Sequence, residues 1–266
     1  MKIVVFGPTG LVGRQVTRSA VREGHDVVAF AHQPDPMSGP GLANGRPAPV
    51  APVEQELTAA LGSLKNVTVA PGDIFDPRTL HAPIAGADAV IFAAGVFGQS
   101  PTRIRSAGMA GVCQVMRDSG VTRIVAVSQA AAFISPRASA LRKYAQRNFV
   151  HKLYRYQFLD FERMEDELAC ARELDWSIVR AAKVRDWPAS GSYQVVPDGQ
   201  LRRERPVGAA DLADYVVARA ASRGGSDIVI LTGHGRPAPA GGARPGRPDP
   251  LGRSGGRPAE KEGQPR

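Results

Sequence analysis

Three glycines at the spacing Gly7-x-x-Gly10-x-x-Gly13 are the residues with the clearest chemical use in this chain. They follow an apolar run at 2–6 and open an amphipathic stretch at 11–23. The first glycine permits a tight turn out of a strand, and the second lets backbone approach an anion with no Cβ in the way. The third lets the following helix pack closely on the strand. Amides at the start of that helix, and its dipole, then stabilise a pyrophosphate. The pattern predicts a dinucleotide site with Gly7, Thr9, Gly10, Leu11, Val12 and Gly13 around the phosphates.

The end of the next strand discriminates between NAD and NADP. An acidic residue there binds a ribose 2′-hydroxyl, and a basic one accepts a 2′-phosphate. The chain has Ala31-His32-Gln33 at that place, and Asp26 lies at the opposite end of the strand. The absence of an acid favours NADP, with NAD not excluded. His32 is a weak phosphate ligand when neutral, and Arg14 is the nearest guanidinium.

Other chemistries find less support. The five histidines (His25, His32, His81, His151 and His234) are scattered without ligand spacing to Cys or carboxylate, so no metal is expected. There is no G-x-S-x-G nucleophile turn. Residues 137–156 combine basic and aromatic groups, including Tyr144 and His151. They are read either as a lid suited to a planar anionic substrate or as a solvated basic helix. Trp176 is read as a packing residue, and Trp187 and Tyr193 either as packing residues or as the edge of a substrate pocket.

The elements that must position these groups alternate along the chain. Strands are expected at 2–6, 26–30, 67–70, 89–92 and 122–128, with helices at 11–23, 77–84 and 102–119. Further on come a helix at 158–173, strands at 176–180 and 193–196, a helix at 211–221 and a strand at 227–231. Uninterrupted Val and Ile runs suit strands buried on both faces. The expected fold class is α/β: a doubly wound, mostly parallel Rossmann sheet with helices on both faces. A small substrate-side segment would come from the C-terminal half.

Residues 33–53 hold six prolines, which predicts a long loop followed by a helix at 54–64. Residues 1–232 are read as one NAD(P)-binding domain and 233–266 as a disordered Gly/Pro/Arg-rich tail. The tail has seven Lys and Arg against three Asp and Glu, so +4 of the net +9 charge lies there. That distribution argues against a nucleic-acid partner. No apolar run has spanning length and no signal-peptide pattern opens the chain, so a cytoplasmic protein without a membrane partner is expected. Its partner would be a small-molecule substrate, and its state a monomer or homodimer. Cys113 and Cys170 are expected as reduced thiols with packing roles.

Several later segments join the glycine turn: Gly72-Asp73-Ile74-Phe75-Asp76, Phe92-Ala93-Ala94-Gly95, Val127-Ser128, Arg163-Met164-Glu165, 174–180, Gly191-Ser192-Tyr193 and Asp211-Leu212-Ala213-Asp214. In this order, over about residues 1 to 232, the chain resembles the atypical short-chain dehydrogenase/reductases, specifically the NAD(P)H-binding biliverdin reductase B/flavin reductase-like and NmrA-like group. The resemblance implies that Asp73 and Ile74 contact the adenine, that Ala94 and Gly95 line the cofactor by backbone, and that Ser128 sits near the nicotinamide. Asp73 also reads as a helix cap before Pro77, and Ser128 as the end of a strand.

The chain departs from the short-chain dehydrogenase pattern in lacking Tyr-x-x-x-Lys: Tyr144 is followed by Asn148, and Tyr154 by Phe158. Some relatives carry a histidine where this chain has Glu165. Glu165 is read either as orienting substrate or cofactor amide, or as a surface residue beside Glu162 and Asp166. The usual proline after Arg180 is replaced by Ala181. The resemblance implies a reductase passing hydride to a conjugated acceptor such as a flavin, quinone-like ring or tetrapyrrole. A non-catalytic NADP(H) sensor and an isomerase or epimerase are the competing readings.

Overall fold

The apolar runs form the strands of an eight-stranded sheet in a computed structural model of the chain. The structure describes residues 1–32, 64–95, 102–137, 139–146, 148, 151–201, 203–222 and 224–234, with the short pairs Leu42–Ala43 and Arg46–Pro47. The expected loop and helix within 33–64, and the tail beyond His234, lie almost wholly outside the described residues.

The strands are β1 Lys2–Phe6, β2 Asp26–His32, β3 Val67–Gly72, β4 Ala89–Phe92, β5 Arg123–Gln129, β6 Asp175–Ala181, β7 Tyr193–Pro197 and β8 Asp227–Gly233. Their spatial order is 7-8-6-5-4-1-2-3, parallel throughout except for β7, which runs antiparallel to β8. The order 3-2-1-4-5-6 is the doubly wound arrangement, and the chain reverses direction across the sheet between β1 and β4. The helices are α1 Leu11–Arg22, α2 Pro77–Ile84, α3 Ile104–Ser119, α4 Ala140–Ala145, α5 Arg155–Cys170 and α6 Ala209–Ala221.

Alternation along β1 divides the core. Val4 and Phe6 join Phe30, Phe92 and the buried faces of α2, α3 and α5, whereas Ile3 and Val5 join Val27, Ile91 and the faces of α1 and α6. Phe6 packs 4.8 Å from Phe30 and 5.9 Å from Phe92, centroid to centroid. Each such fully buried ring contributes about 1.5–3 kcal/mol. Two polar ties fasten the helix pairs. Ser19 and Arg22 of α1 donate to Asp214 of α6 at 2.7 and 2.6 Å. Asp160 of α5 accepts from the Arg105 and Ser106 amides that open α3, at 3.2 and 3.0 Å.

The expected elements among the described residues all form; 2–6, 77–84 and 89–92 keep their bounds and the others shift. α5 begins at Arg155 and stops at Cys170 instead of running 158–173, because Ala171 to Leu174 turn back toward β6 with the Leu174 amide donating to the Ala171 carbonyl. α6 starts at Ala209, and Asp211 in its first turn binds the amides of Ser190 and Gly191. Both cysteines are free. Cys113 is buried as expected, whereas Cys170 is exposed at the end of α5 and has no packing role. No helix among the described residues is long and apolar enough to cross a membrane.

Candidate functional site

The glycine turn lies at the carboxyl end of β1, at the switch point of the sheet. Gly7 has φ +80°, and a Cβ there would meet the Ala93 oxygen and Ala94 Cα at 2.7 Å, so its backbone packs directly on the end of β4. A Cβ at Gly13 would lie 1.9 Å from the Gly7 carbonyl oxygen, which binds α1 against the turn. Gly10 differs. It is exposed, its φ of −69° suits any residue, and its Cβ would meet nothing closer than 3.5 Å. Gly10 is the N-cap of α1, and no side chain caps the helix, so the first-turn amides of Leu11, Val12 and Gly13 have no partner within it. The protein's own packing therefore demands glycine at positions 7 and 13 and does not demand it at position 10. Uncapped amides behind an open glycine fit a pyrophosphate.

The other residues expected beside the cofactor lie at the carboxyl ends of neighbouring strands. Asp73 follows β3 and accepts from the Phe75 amide at 2.9 Å; the cap of α2 is Asp76, three residues on. Ile74 is buried, with its side chain filling the notch at Gly108 of α3, so only its backbone faces outward. Ala94 is half-buried and Gly95 exposed. His32 ends β2, with its backbone in register with Gly72. Thr9 is half-buried in the turn. Arg14 pairs with Asp186 at 2.9 Å and so points to the stretch after β6, away from the β2 end.

Ser128 and Arg180 are register partners on β5 and β6 and leave the sheet on the face that α5 covers. There Arg180 makes a two-pronged pair with Glu165, its Nη2 donating to Oε2 at 2.7 Å and its Nε contacting both carboxylate oxygens at 3.1 and 3.2 Å. Its Nη1 donates to Asp198 at 2.6 Å, and its plane lies 3.6 Å from the Phe133 ring centre. One guanidinium thus joins α5, β6, the turn after β7 and the stretch after β5.

Glu165 is 4% exposed, which overturns its reading as a surface residue beside Glu162 and Asp166. Burial pushes its carboxyl above the usual carboxylate range, against the opposing pull of Arg180. The Ser128 hydroxyl is 2% exposed and meets no partner at hydrogen-bond geometry, although it is near enough to Glu165 to favour the ionised carboxylate. A buried hydroxyl without a partner is costly, and it marks a place where a ligand group can supply one.

Tyr144 stands outside this cluster and is 62% exposed on α4. His151 is half-buried, edge-on to Phe158 at 4.9 Å, with an unpartnered Nε2. Trp176 packs against the core, and Tyr193 packs on Tyr215 with ring centres 6.0 Å apart.

Sequence reasoning missed Asp198, Phe133 and the buried Arg105–Asp160 pair, whose guanidinium lies against the Gly95 backbone and over the Phe161 ring at 4.1 Å. A signal existed for the Arg180–Glu165 pair that Asp198 and Phe133 complete. Arg180 interrupts an apolar strand and needs a buried partner. Glu165 falls on the stripe Phe158-Phe161-Glu165-Leu168, which is the buried face of α5. Among the described residues no group of three or more His, Cys, Asp or Glu could hold a metal ion.

A family model described as NAD(P)H-binding matches residues 7–223. Among solved structures, a short-chain dehydrogenase/reductase from Veillonella parvula in complex with NADP is 15% identical with a TM-score of 0.63, over 90% of this chain and 95% of that one. The anaerobillin reductase ChuY from Escherichia coli O157:H7 is 21% identical with a TM-score of 0.62, over 90% and 100%. A proposed NADH-flavin reductase from Streptococcus pneumoniae is 18% identical with a TM-score of 0.63, over 88% and 99%. At these identities the likeness is one of fold. Curated relatives, uncharacterized proteins of Mycobacterium tuberculosis and Mycobacterium bovis, are 30% identical over 129 residues; the match spans 48% of this chain and 12% of theirs. The match over 7–223, on a doubly wound sheet with an open glycine turn at its switch point, makes this chain a member of the NAD(P)H-binding family with the fold of the atypical short-chain dehydrogenase/reductases.

Proposed function

We propose that the chain is an NADPH-dependent reductase for a small conjugated acceptor of the flavin, quinone-like or tetrapyrrole kind. The observation that carries this reading is the buried Ser128 hydroxyl at the carboxyl end of β5, two strands from the glycine turn, beside Glu165 but without a well-formed hydrogen bond. The cofactor, when bound, supplies a hydride.

In this reading Gly7, Thr9, Gly10, Leu11, Val12 and Gly13 hold the pyrophosphate through backbone. Asp73 and the Ile74 backbone border the adenine, His32 lies by the ribose, and Ala94 and Gly95 line the cofactor. The lack of a carboxylate at Ala31-His32-Gln33 supports NADPH over NADH. Ser128 donates a hydrogen bond to an oxygen of the acceptor, one that gains negative charge on reduction. Glu165 orients Arg180, and the pair with Asp198 fixes the wall beside Ser128. Tyr144 and His151 border the acceptor from the 137–156 segment. Without Tyr-x-x-x-Lys, the proton that completes the reduction is drawn from water. Residues 1–232 act as one domain, and 233–266 contribute nothing to cofactor affinity.

The test is a titration of the full chain with NADPH and NADH, followed by NADPH oxidation with a flavin, a quinone and a linear tetrapyrrole. Tighter NADPH binding and turnover with one acceptor class are expected. Tight binding with no turnover on any of them would replace the reductase with a cofactor sensor.

A further inference from the structure

We propose that the stretch between Gln129 and Asp160 is a docking face for an anionic lipid surface. The proposal does not need the reductase reading: Leu141 and Leu153, which carry it, are not residues that reading uses, although Tyr144 belongs to both. Seven of the ten exposed large hydrophobic side chains among the described residues fall between Ile134 and Leu159. Leu141 and Leu153 are 79% and 53% exposed. Leu141 and Tyr144 are three residues apart on α4, and Tyr156 and Leu159 are three apart on α5, so each pair shares a helix face. Scattered exposed leucines are ordinary; this many within one short stretch are not.

Charge selects the occupant. Between Gln129 and Asp160 the sequence has no Asp or Glu. Arg137, Lys152 and Arg155 are exposed, and Lys143 reaches back to the Pro136 carbonyl at 2.6 Å. Among the described residues none of these four is in an ion pair with a carboxylate. Asp160, where acidic residues resume, is buried and committed to Arg105 and Ser106. A second copy of the chain would bring two such basic faces together and be repelled. Phosphodiester backbones would satisfy the cations and leave the leucines exposed. Basic groups interspersed with Leu and Tyr match a surface of anionic headgroups over acyl chains. The face is anchored, since Gln146 donates to the Ala131 and Phe133 carbonyls at 2.9 and 3.1 Å. Phe133 in turn stacks on Arg180. The absence of an apolar run of spanning length does not bear on contact of this kind.

The test is co-sedimentation of the full chain with phosphatidylcholine vesicles, with and without phosphatidylglycerol, at low and high salt. Binding is expected only with phosphatidylglycerol and is expected to weaken in salt. The double variant Leu141→Ser/Leu153→Ser should bind about tenfold more weakly, with an unchanged thermal transition because both side chains face solvent. Wild-type binding by that variant would show that these leucines do not contact the vesicle and would overturn the proposal. Retention on duplex DNA or on an acidic protein, with no vesicle binding, would overturn it as well.

Discussion

Replacing Gly10 by alanine separates a glycine kept for a ligand from one kept for packing. At φ −69° an alanine is unstrained, and its Cβ meets nothing nearer than the Gly7 oxygen at 3.5 Å, an ordinary contact. The only cost to the free protein is a poorer N-cap, up to about 1 kcal/mol. The new methyl group points into the open space before the α1 amides, where a pyrophosphate has to approach. Losing one charge-assisted hydrogen bond costs about 1.5–3 kcal/mol, and each 1.4 kcal/mol is about tenfold in affinity. Gly10→Ala should therefore melt close to wild type while binding NADPH about tenfold to a hundredfold more weakly by isothermal titration. Gly13→Ala provides the contrast. Its Cβ would sit 1.9 Å from the Gly7 oxygen and 2.7 Å from the Gly7 carbonyl carbon, both backbone atoms, so the helix must shift. A loss of about 3 kcal/mol or more in denaturant unfolding is expected. Undiminished NADPH affinity in a folded Gly10→Ala variant would refute the placement of the phosphate.

Glu165→Ala leaves Arg180 buried with only Asp198, and chemical denaturation should show a loss of about 3–5 kcal/mol. Because burial holds the Glu165 pKa above its unfolded value, its contribution is fully present below the usual carboxylate range and declines as pH rises through the folded value. Glu165→Gln should remove that decline from the stability–pH curve. Arg14→Ala, which breaks a half-exposed pair, should cost no more than about 1 kcal/mol and leave the NADPH-to-NADH affinity ratio unchanged, as measured by paired titrations. Burial pushes the Cys113 thiol up to about 12, while Cys170 is exposed. A thiol reagent near neutral pH should therefore titrate one cysteine in the native protein and the second only after unfolding.

The sheet was legible because its information is local. Val- and Ile-rich runs alternate with amphipathic stretches, which have no other way to bury their apolar faces. The glycine turn was legible for the same reason, although its spacing alone did not distinguish Gly10 from the glycines required by packing. The Ser128 wall was not legible. Arg180 meets partners fifteen residues before it and eighteen after it, a pairing that depends on register between β5 and β6 and on the docking of α5. Glu165 stayed between two readings because Glu162 and Asp166 beside it suggested a surface, although helical spacing from Phe158 and Phe161 placed it inside. The exposure of Leu141 and Leu153 was likewise hidden, since apolar residues in a short helical stretch are ordinarily taken as core.

Steady-state NADPH oxidation by wild type and Ser128→Ala tests most directly whether Ser128 faces a reducible acceptor in an NADPH-dependent enzyme. Acceptor-dependent turnover is expected in the wild type and a fall of about a hundredfold in kcat in the variant, with NADPH affinity unchanged. Equal kcat in the two proteins, or tight NADPH binding without turnover in either, would contradict that role.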